Sequence, residues 1–114
     1  MSTRQGVILH LPERRFAPAV AGHVVLGLAL AAGFPALAAD RVRREVEASV
    51  RDAGGAVEIR AGLTPGRIEL RLEAASQAAA ARAAAALAQH RTRLDSTQLE
   101  VHFVAAQQGG LRAV

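Results

Sequence analysis

The sequence contains no cysteine, lysine, asparagine, tryptophan or tyrosine, and only three phenylalanines. Without cysteine, the chain has no disulfide, no thiolate metal ligand and no cysteine nucleophile. Without lysine, it has neither the phosphate-binding lysine of a P-loop nor a Schiff-base amine. So few aromatic rings also argue against a sheet that reads RNA by base stacking. These absences exclude several common kinds of catalytic and nucleic-acid-binding site.

The 114 residues suffice for one domain. Hydrophobic residues make up 51% of the chain, but 27 of them are alanine, so the larger apolar side chains can fill only one modest core. All basic residues are arginine, and the net charge is +4. Because arginine titrates late, the basic character is weak evidence for a nucleic-acid partner. We expect a single domain over residues 1–106 and a flexible C-terminal tail over residues 107–114.

Residues 14–40 imitate a secretory signal, because two arginines precede an apolar run that ends in Ala36-Leu37-Ala38. The strand-like segment before the run and His23 within it favour a buried helix instead. The run is also too short for a membrane span, since a helix over residues 17–32 reaches roughly 24 Å and the hydrocarbon core is about 30 Å thick. We therefore predict a cytoplasmic protein with no membrane contact. Secretion, with residues 14–39 as a signal peptide, is the alternative.

The first half of the chain predicts a strand followed by a long apolar helix. Residues 5–11 alternate in the manner of a strand, and Pro12 ends them. Pro18 suits the first turn of a helix that stops at Gly33. Because this helix is apolar nearly all round, it should be covered on more than one side.

A second helix is predicted over residues 38–53, with an apolar stripe at helical spacing and a charged opposite face. Two pairs on the charged face lie four residues apart, Arg41–Glu45 and Arg43–Glu47, and should form surface ion pairs. Arginines along this face could meet an acidic protein or phosphates, although a solvated helix face is the ordinary alternative. We name as candidate partner-binding residues Arg41, Arg44 and Arg51 (the arginine stripe), together with Arg14 and Arg15 before the first helix.

The second half predicts a hairpin, a helix and a last strand. Thr64-Pro65-Gly66 separates two alternating segments and has Pro and Gly in the order of a type II turn. Ser76 can cap an alanine-rich helix that runs to about Arg93, and residues 98–104 form the last strand. The order β-α-α-β-β-α-β predicts an α+β two-layer sandwich, with helices on one face of a four-stranded sheet and water on the other.

No combination of residues predicts catalysis. The four histidines are far apart in sequence. His23 fits a core histidine bonded to a carbonyl. His10 and His102 could share the wet sheet face with glutamates, where a solvated charged surface is more usual than a metal site. We predict no catalytic residue, no metal and no cofactor.

Two segments together carry a resemblance to a known family: LHLPERRFAPAVAGHVVLGLALAAGFPALAADRVRREVEASV, which starts at Leu9, and GGAVEIRAGLTPGRIELRLE, which ends at Glu73. Their pattern and spacing resemble the anti-sigma-factor serine kinases of the Bergerat (GHKL) ATPase superfamily. In that family a strand ending in Leu-Pro precedes a long helix that closes at a Gly-Phe-Pro type of turn. A second helix then carries the ATP motif, and a hairpin follows. The resemblance implies the fold of that family.

The departures from the family pattern fall on the nucleotide site. The family has a glutamate and, four residues later, a magnesium-binding asparagine, where this chain has Ala48 and Asp52. Its adenine-reading aspartate and glycine-rich lid are replaced by Ala74-Ala75-Ser76. The resemblance therefore implies a retained fold, a lost ATP site and a regulatory domain that binds a sigma factor, a similar regulator or itself. The alternatives are a ferredoxin-like homo-oligomerising module or adaptor, and an ATP-dependent kinase with a relocated site.

Overall fold

The computed structural model describes residues 5–12, 15–91 and 99–105. Their helices and strands follow the predicted order and define an α+β fold. The elements are strand β1 (Gln5–Leu11), helices α1 (Ala17–Ala31) and α2 (Ala36–Ala53), strands β2 (Val57–Thr64) and β3 (Arg67–Ala74), helix α3 (Gln77–Arg91) and strand β4 (Leu99–Ala105). Arg14 and the predicted tail over residues 107–114 lie outside the described residues. Within the described residues, no helix is long and apolar enough to cross a membrane.

The sheet has the strand order β1-β2-β3-β4. The first two pairings are antiparallel, and β3 pairs with β4 in parallel through the crossover helix α3. Because the strands lie in chain order, no strand is inserted within a β-α-β unit. This arrangement differs from the split β-α-β unit of ferredoxin-like domains, so the ferredoxin-like alternative is wrong in its strand order.

The helices form one layer on one face of the sheet, with α2 between α1 and α3. Gly22 of α1 faces Glu47 of α2, and the Ser49 hydroxyl of α2 donates to the Ala83 carbonyl of α3 at 3.0 Å. Between the layers lies a single core made of inward-facing strand residues and the buried stripes of the helices. Its larger members include Val25, Val42, Val46, Ile59, Ile68, Leu70 and Leu72.

The turn between β2 and β3 lies at Pro65 and Gly66, as predicted. Thr64 pairs with Arg67, so Pro65 and Gly66 alone make the turn, and Gly66 has φ +76°, which a residue with a Cβ adopts at a cost. The Gly66 N–H donates to the Ala32 carbonyl, just beyond the end of α1, at 2.6 Å. The turn is therefore joined to the helix layer.

The start of α3 confirms the predicted cap. The Ser76 hydroxyl accepts a hydrogen bond from the Ala79 N–H at 3.1 Å, which satisfies one of the free amides of the first turn.

Two predicted side-chain positions are wrong. Glu45 was expected in a surface pair with Arg41, but it is fully buried. It lies one turn before Ser49 and so on the side of α2 that faces α3. His23 was expected in the core. Its Nδ1 does lie 2.8 Å from the Ala19 carbonyl, but the residue is exposed, because α1 turns that side away from the sheet and from α2.

Candidate protein-interaction surface

Among the residues that the structure describes, the large apolar side chains that remain exposed lie in β1, in and just before α1, and in the first turn of α2. They are Ile8, Phe16, Val20, Leu30 and Leu37, and Leu37 is the most exposed at 78%. Helix α1 itself contains no charged residue. Ile8 lies on the sheet face away from the helices, whereas the other four belong to the helix layer, where neighbouring exposed apolar side chains are typical of an interaction site.

The buried positions of α1 show how the helix is oriented. Ala21, Val25 and Ala29 are buried toward the sheet, and Gly22 faces α2. At about 100° per residue, the exposed positions of α1, together with Val24, fall into two rows. An outer row (Ala19, His23 and Leu30) faces away from the sheet and is exposed. An edge row (Val20, Val24, Gly27 and Ala31) faces sideways, away from α2 and past β1, and only Val24 is partly buried. In the described part of the chain, α1 is therefore covered by the sheet on one side and by α2 on another, which confirms the prediction of cover on more than one side.

The arginine stripe is exposed on α2, as predicted. Its spacing places it, together with Leu37, on the side of α2 that faces away from the sheet. This side is next to the outer row of α1. The structure thus brings the arginine stripe and the apolar helix onto one surface, which we call the outer helical surface.

An ionic network lies between the two helices of this surface. Arg43 donates to Asp40 at 2.8 Å and to Glu47 at 2.7 Å, which confirms the predicted Arg43–Glu47 pair. Arg44 adds a second contact to Asp40 at 2.8 Å. The hydrogen bond from Arg43 is the main cause that lowers the pKa of Asp40, and the same bond raises the pKa of Arg43. Arg43, Asp40 and Glu47 thus lie beneath the outer helical surface. Arg41 and Arg51 take no part in the network and are exposed.

Arg15 lies at the start of α1, with its guanidinium 5.6 Å from the centre of the Phe16 ring. Both residues are exposed. Since the chain turns back within four residues between α1 and α2, and Gly22 meets Glu47, the two helices run antiparallel. The start of α1 is therefore beside the last turn of α2, where Arg51 lies. Arg15 extends the basic side of the outer helical surface.

The two positions that the resemblance aligned with the ATP motif, Ala48 and Asp52, lie in the second half of α2. Ala48 is buried and Asp52 is exposed. The backbone carbonyl of Asp52 accepts a hydrogen bond from Arg82 Nε at 3.0 Å, and that of Ala53 accepts one from Arg82 Nη2 at 2.9 Å. Arg82 of α3 thus satisfies the last carbonyls of α2. The described part of the chain contains no group of three or more residues able to hold a metal ion.

Sequence reasoning missed the role of Arg82, although a signal for it exists. Arg82 is the only charged residue in the alanine-rich run of α3. The end of α2 at two glycines leaves carbonyls that need donors. A lone arginine in an alanine helix, next to such an end, indicates a cap supplied by a neighbouring helix.

The sheet face that the described helices do not cover holds a shallow trough of about 710 Å³. Gly6 and Gly62 are paired neighbours without side chains, and they form its floor. Arg60, Arg71 and His102 lie in one row across three strands along its side. Acidic residues flank this row, so the trough has no single sign of charge.

Glu58 on the same sheet face is a further correction. Alternation predicts that it is wet, but it is 2% exposed. His10 Nε2 and Arg60 Nε approach its Oε2 at 3.8 and 3.4 Å, and its Oε1 has no hydrogen-bond partner. His10 and His102 do share this face, as predicted, but β2 and β3 separate them.

In comparisons with known proteins, no family model, no curated protein and no solved structure matches the chain. The fold defines the class as a small α+β sandwich, with one sheet face that the described residues leave uncovered.

Proposed function

We propose that this protein is a non-catalytic interaction domain that binds another protein through the outer helical surface. The observation that supports this proposal is the adjacency of exposed apolar side chains and the arginine stripe. Phe16, Leu30 and Leu37 are each about half exposed or more. Burying such side chains against a partner contributes about 1.5–3 kcal/mol each. A small domain with few large apolar residues gains nothing in folding from leaving them outside.

The surface also suggests the chemistry of its partner. An apolar line beside three arginines is complementary to an apolar ridge flanked by carboxylates. Apolar anchors give affinity at the centre of an interface, and charges at its rim give orientation and a fast encounter. A sigma factor or a similar cytoplasmic regulator, in line with the resemblance to anti-sigma factors, is the partner that we propose to test first. Ala48 and Asp52 would then mark a nucleotide site that is lost, and the domain would need no cofactor.

A capture experiment in the native cell tests the proposal. The tagged chain is compared with Leu30→Gln/Leu37→Gln, with Arg44→Glu/Arg51→Glu, and with Arg71→Glu on the opposite face of the molecule. All of these side chains except Arg44 are free of described polar contacts, and all are exposed, so the fold should be kept.

We expect a partner that is captured by the wild type, lost with both outer-surface variants and retained with Arg71→Glu. With the purified partner, each double variant should weaken the dissociation constant at least about tenfold, which is 1.4 kcal/mol. Equal binding by all four chains contradicts the proposal. Micromolar binding of magnesium-ATP to the wild type would instead support the kinase alternative.

A further inference from the structure

We propose that a second copy of this chain docks on the side of the sandwich formed by β1 and the edge row of α1. In this dimer β1 pairs with β1 of the other copy, antiparallel, about a two-fold axis at Ile8. The inference rests on the proposed function only in treating the domain as an interaction module. It assigns the edge to self-association and leaves the outer helical surface to a different protein.

The free edge of β1 is the first reason. In the described part of the chain, β1 ends the sheet and pairs with β2 alone. Its seven residues contain no proline and no Asp, Glu, Lys or Arg, and its pairing with β2 has no bulge. Monomeric proteins usually protect an edge strand with one of these devices, because an open edge templates pairing with another chain. The strand at the opposite edge carries Glu100.

The core is also incomplete along this side. Val7 and Leu9 pack against the core from β1, but both stay partly exposed, whereas Leu11 and the inward residues of β2 are buried. The edge row of α1 lies beyond them in the helix layer. Both layers of the sandwich thus present apolar groups along one side.

Charge and symmetry favour a second copy as the occupant. In a two-fold interface each surface meets its own copy, so it must be self-complementary. The arginine stripe would repel itself. The β1 edge and the edge row carry no charge apart from any on His10, and an antiparallel strand edge is complementary to itself in hydrogen bonding.

The geometry of β1 selects the register. With Ile8 opposite Ile8, Val7 lies opposite Leu9 and Gly6 lies opposite His10. Side chains alternate between the faces of a strand, and this register keeps Val7 and Leu9 of both copies on the helix side. The two partly exposed positions of each copy then cover those of the other, and His10 meets a glycine rather than another histidine.

The helix layer fits the same axis. The two-fold axis brings α1 alongside α1 of the other copy, antiparallel, with the edge rows in contact. Gly27 and Ala31 are small enough for helix axes about 8–10 Å apart. Strand β1 has seven residues and α1 has 15, which gives each a length of roughly 23 Å, so the two edges can be in contact along their whole length.

The first test is the mass in solution, by size exclusion with light scattering over a range of concentrations. The wild type should give twice 11.9 kDa. Gly27→Arg should give a monomer with unchanged helix content, because a Cβ at position 27 meets nothing within 4 Å. Ala85→Arg, an equally exposed change on α3, is the matched control and should stay dimeric.

The second test is disulfide cross-linking, in which the introduced cysteine is the only thiol because the chain has none of its own. Antiparallel partners have Cα atoms about 4.5–5.5 Å apart, which is within reach of a disulfide. Ile8→Cys should therefore form an intermolecular disulfide under mild oxidation, and Arg71→Cys, on the same face but two strands inward, should not.

A wild type that is monomeric at all concentrations, or an Ile8→Cys that cross-links no faster than Arg71→Cys, overturns the inference. Neither result bears on the proposed function, which is tested by the capture experiment with the Leu30, Leu37 and arginine-stripe variants. A stable dimer that captures no partner would reject the proposed function and keep the inference.

Discussion

Glu47 of α2 lies across Gly22 of α1, at the place where α1 has no side chain. A Cβ on residue 22 would collide with the side chain of Glu47, whose carboxylate also accepts the hydrogen bond from Arg43. A methyl group on residue 22 would therefore force the Glu47 side chain to move away from Arg43. The same contact keeps the ionic network in place at the base of the outer helical surface.

Gly22→Ala should change the free energy of unfolding by less than about 1 kcal/mol, because the flexible Glu47 side chain can move away from the new methyl group and the loss of its pair with Arg43 is offset by the better helix propensity of alanine. Urea denaturation measures this change. The control is Glu47→Ala and the double variant, in which the collision is removed. The double variant should have a higher free energy of unfolding than the sum of the effects of Gly22→Ala and Glu47→Ala predicts. Additive effects would mean that Glu47 does not restrict residue 22.

Arg82→Ala should lower the free energy of unfolding by about 1 kcal/mol, because two terminal carbonyls of α2 lose a charged donor at the negative end of the helix dipole. Arg82→Lys keeps the charge but not the fork of two donors, so it should recover only part of the loss. Thermal and urea unfolding measure both variants. Full stability of Arg82→Ala would show that water replaces the cap at no cost.

The ionic network predicts a dependence on acid pH. The pKa of Asp40 is lowered below its ordinary value of 3.8, so the folded state favours the charged form. Its contribution to stability is therefore present above about pH 4 and is lost as the pH falls through the folded-state pKa. Urea unfolding between pH 2 and 7 should show wild type and Asp40→Asn converging at the acid end. A difference that stays constant below pH 4 would assign the effect to another group.

Glu58→Leu should leave the protein as stable or raise the free energy of unfolding by about 1 kcal/mol. The carboxylate of Glu58 is buried, and one of its oxygens has no hydrogen-bond partner, so its desolvation is only partly offset by His10 and Arg60. Glu69→Leu, a half-buried change on the next strand, is the comparison. A clear loss of stability in Glu58→Leu alone would mean that its contact with Arg60 outweighs the cost of burial.

Local signals in the sequence were enough to predict the elements and their class. Pro18 and Gly33 mark the limits of α1, Ser76 caps α3, and Gly66 supplies the positive φ of the turn. Each of these depends on residues a few positions apart. The open sheet face also follows from the alternation in β3.

Contacts between distant elements were not predictable in the same way. Nothing local to β1 says whether it lies beside β2 or between other strands, so the ferredoxin-like order stayed open. Glu45 is at the border of the charged face of α2, and only the position of α3 decides that it is buried. For the candidate surface, the apolar excess of α1 was visible, whereas the division into an outer row and an edge row required the position of α2.

Ser49 and Arg82 determine the position of α3 against α2. A helix whose buried face is almost entirely alanine is smooth, and apolar contact alone would let it slide along its neighbour or rotate about its axis. Two directional bonds, from Ser49 to Ala83 and from Arg82 to the end of α2, fix both movements. A few polar atoms thereby select one arrangement for a segment whose composition would tolerate many.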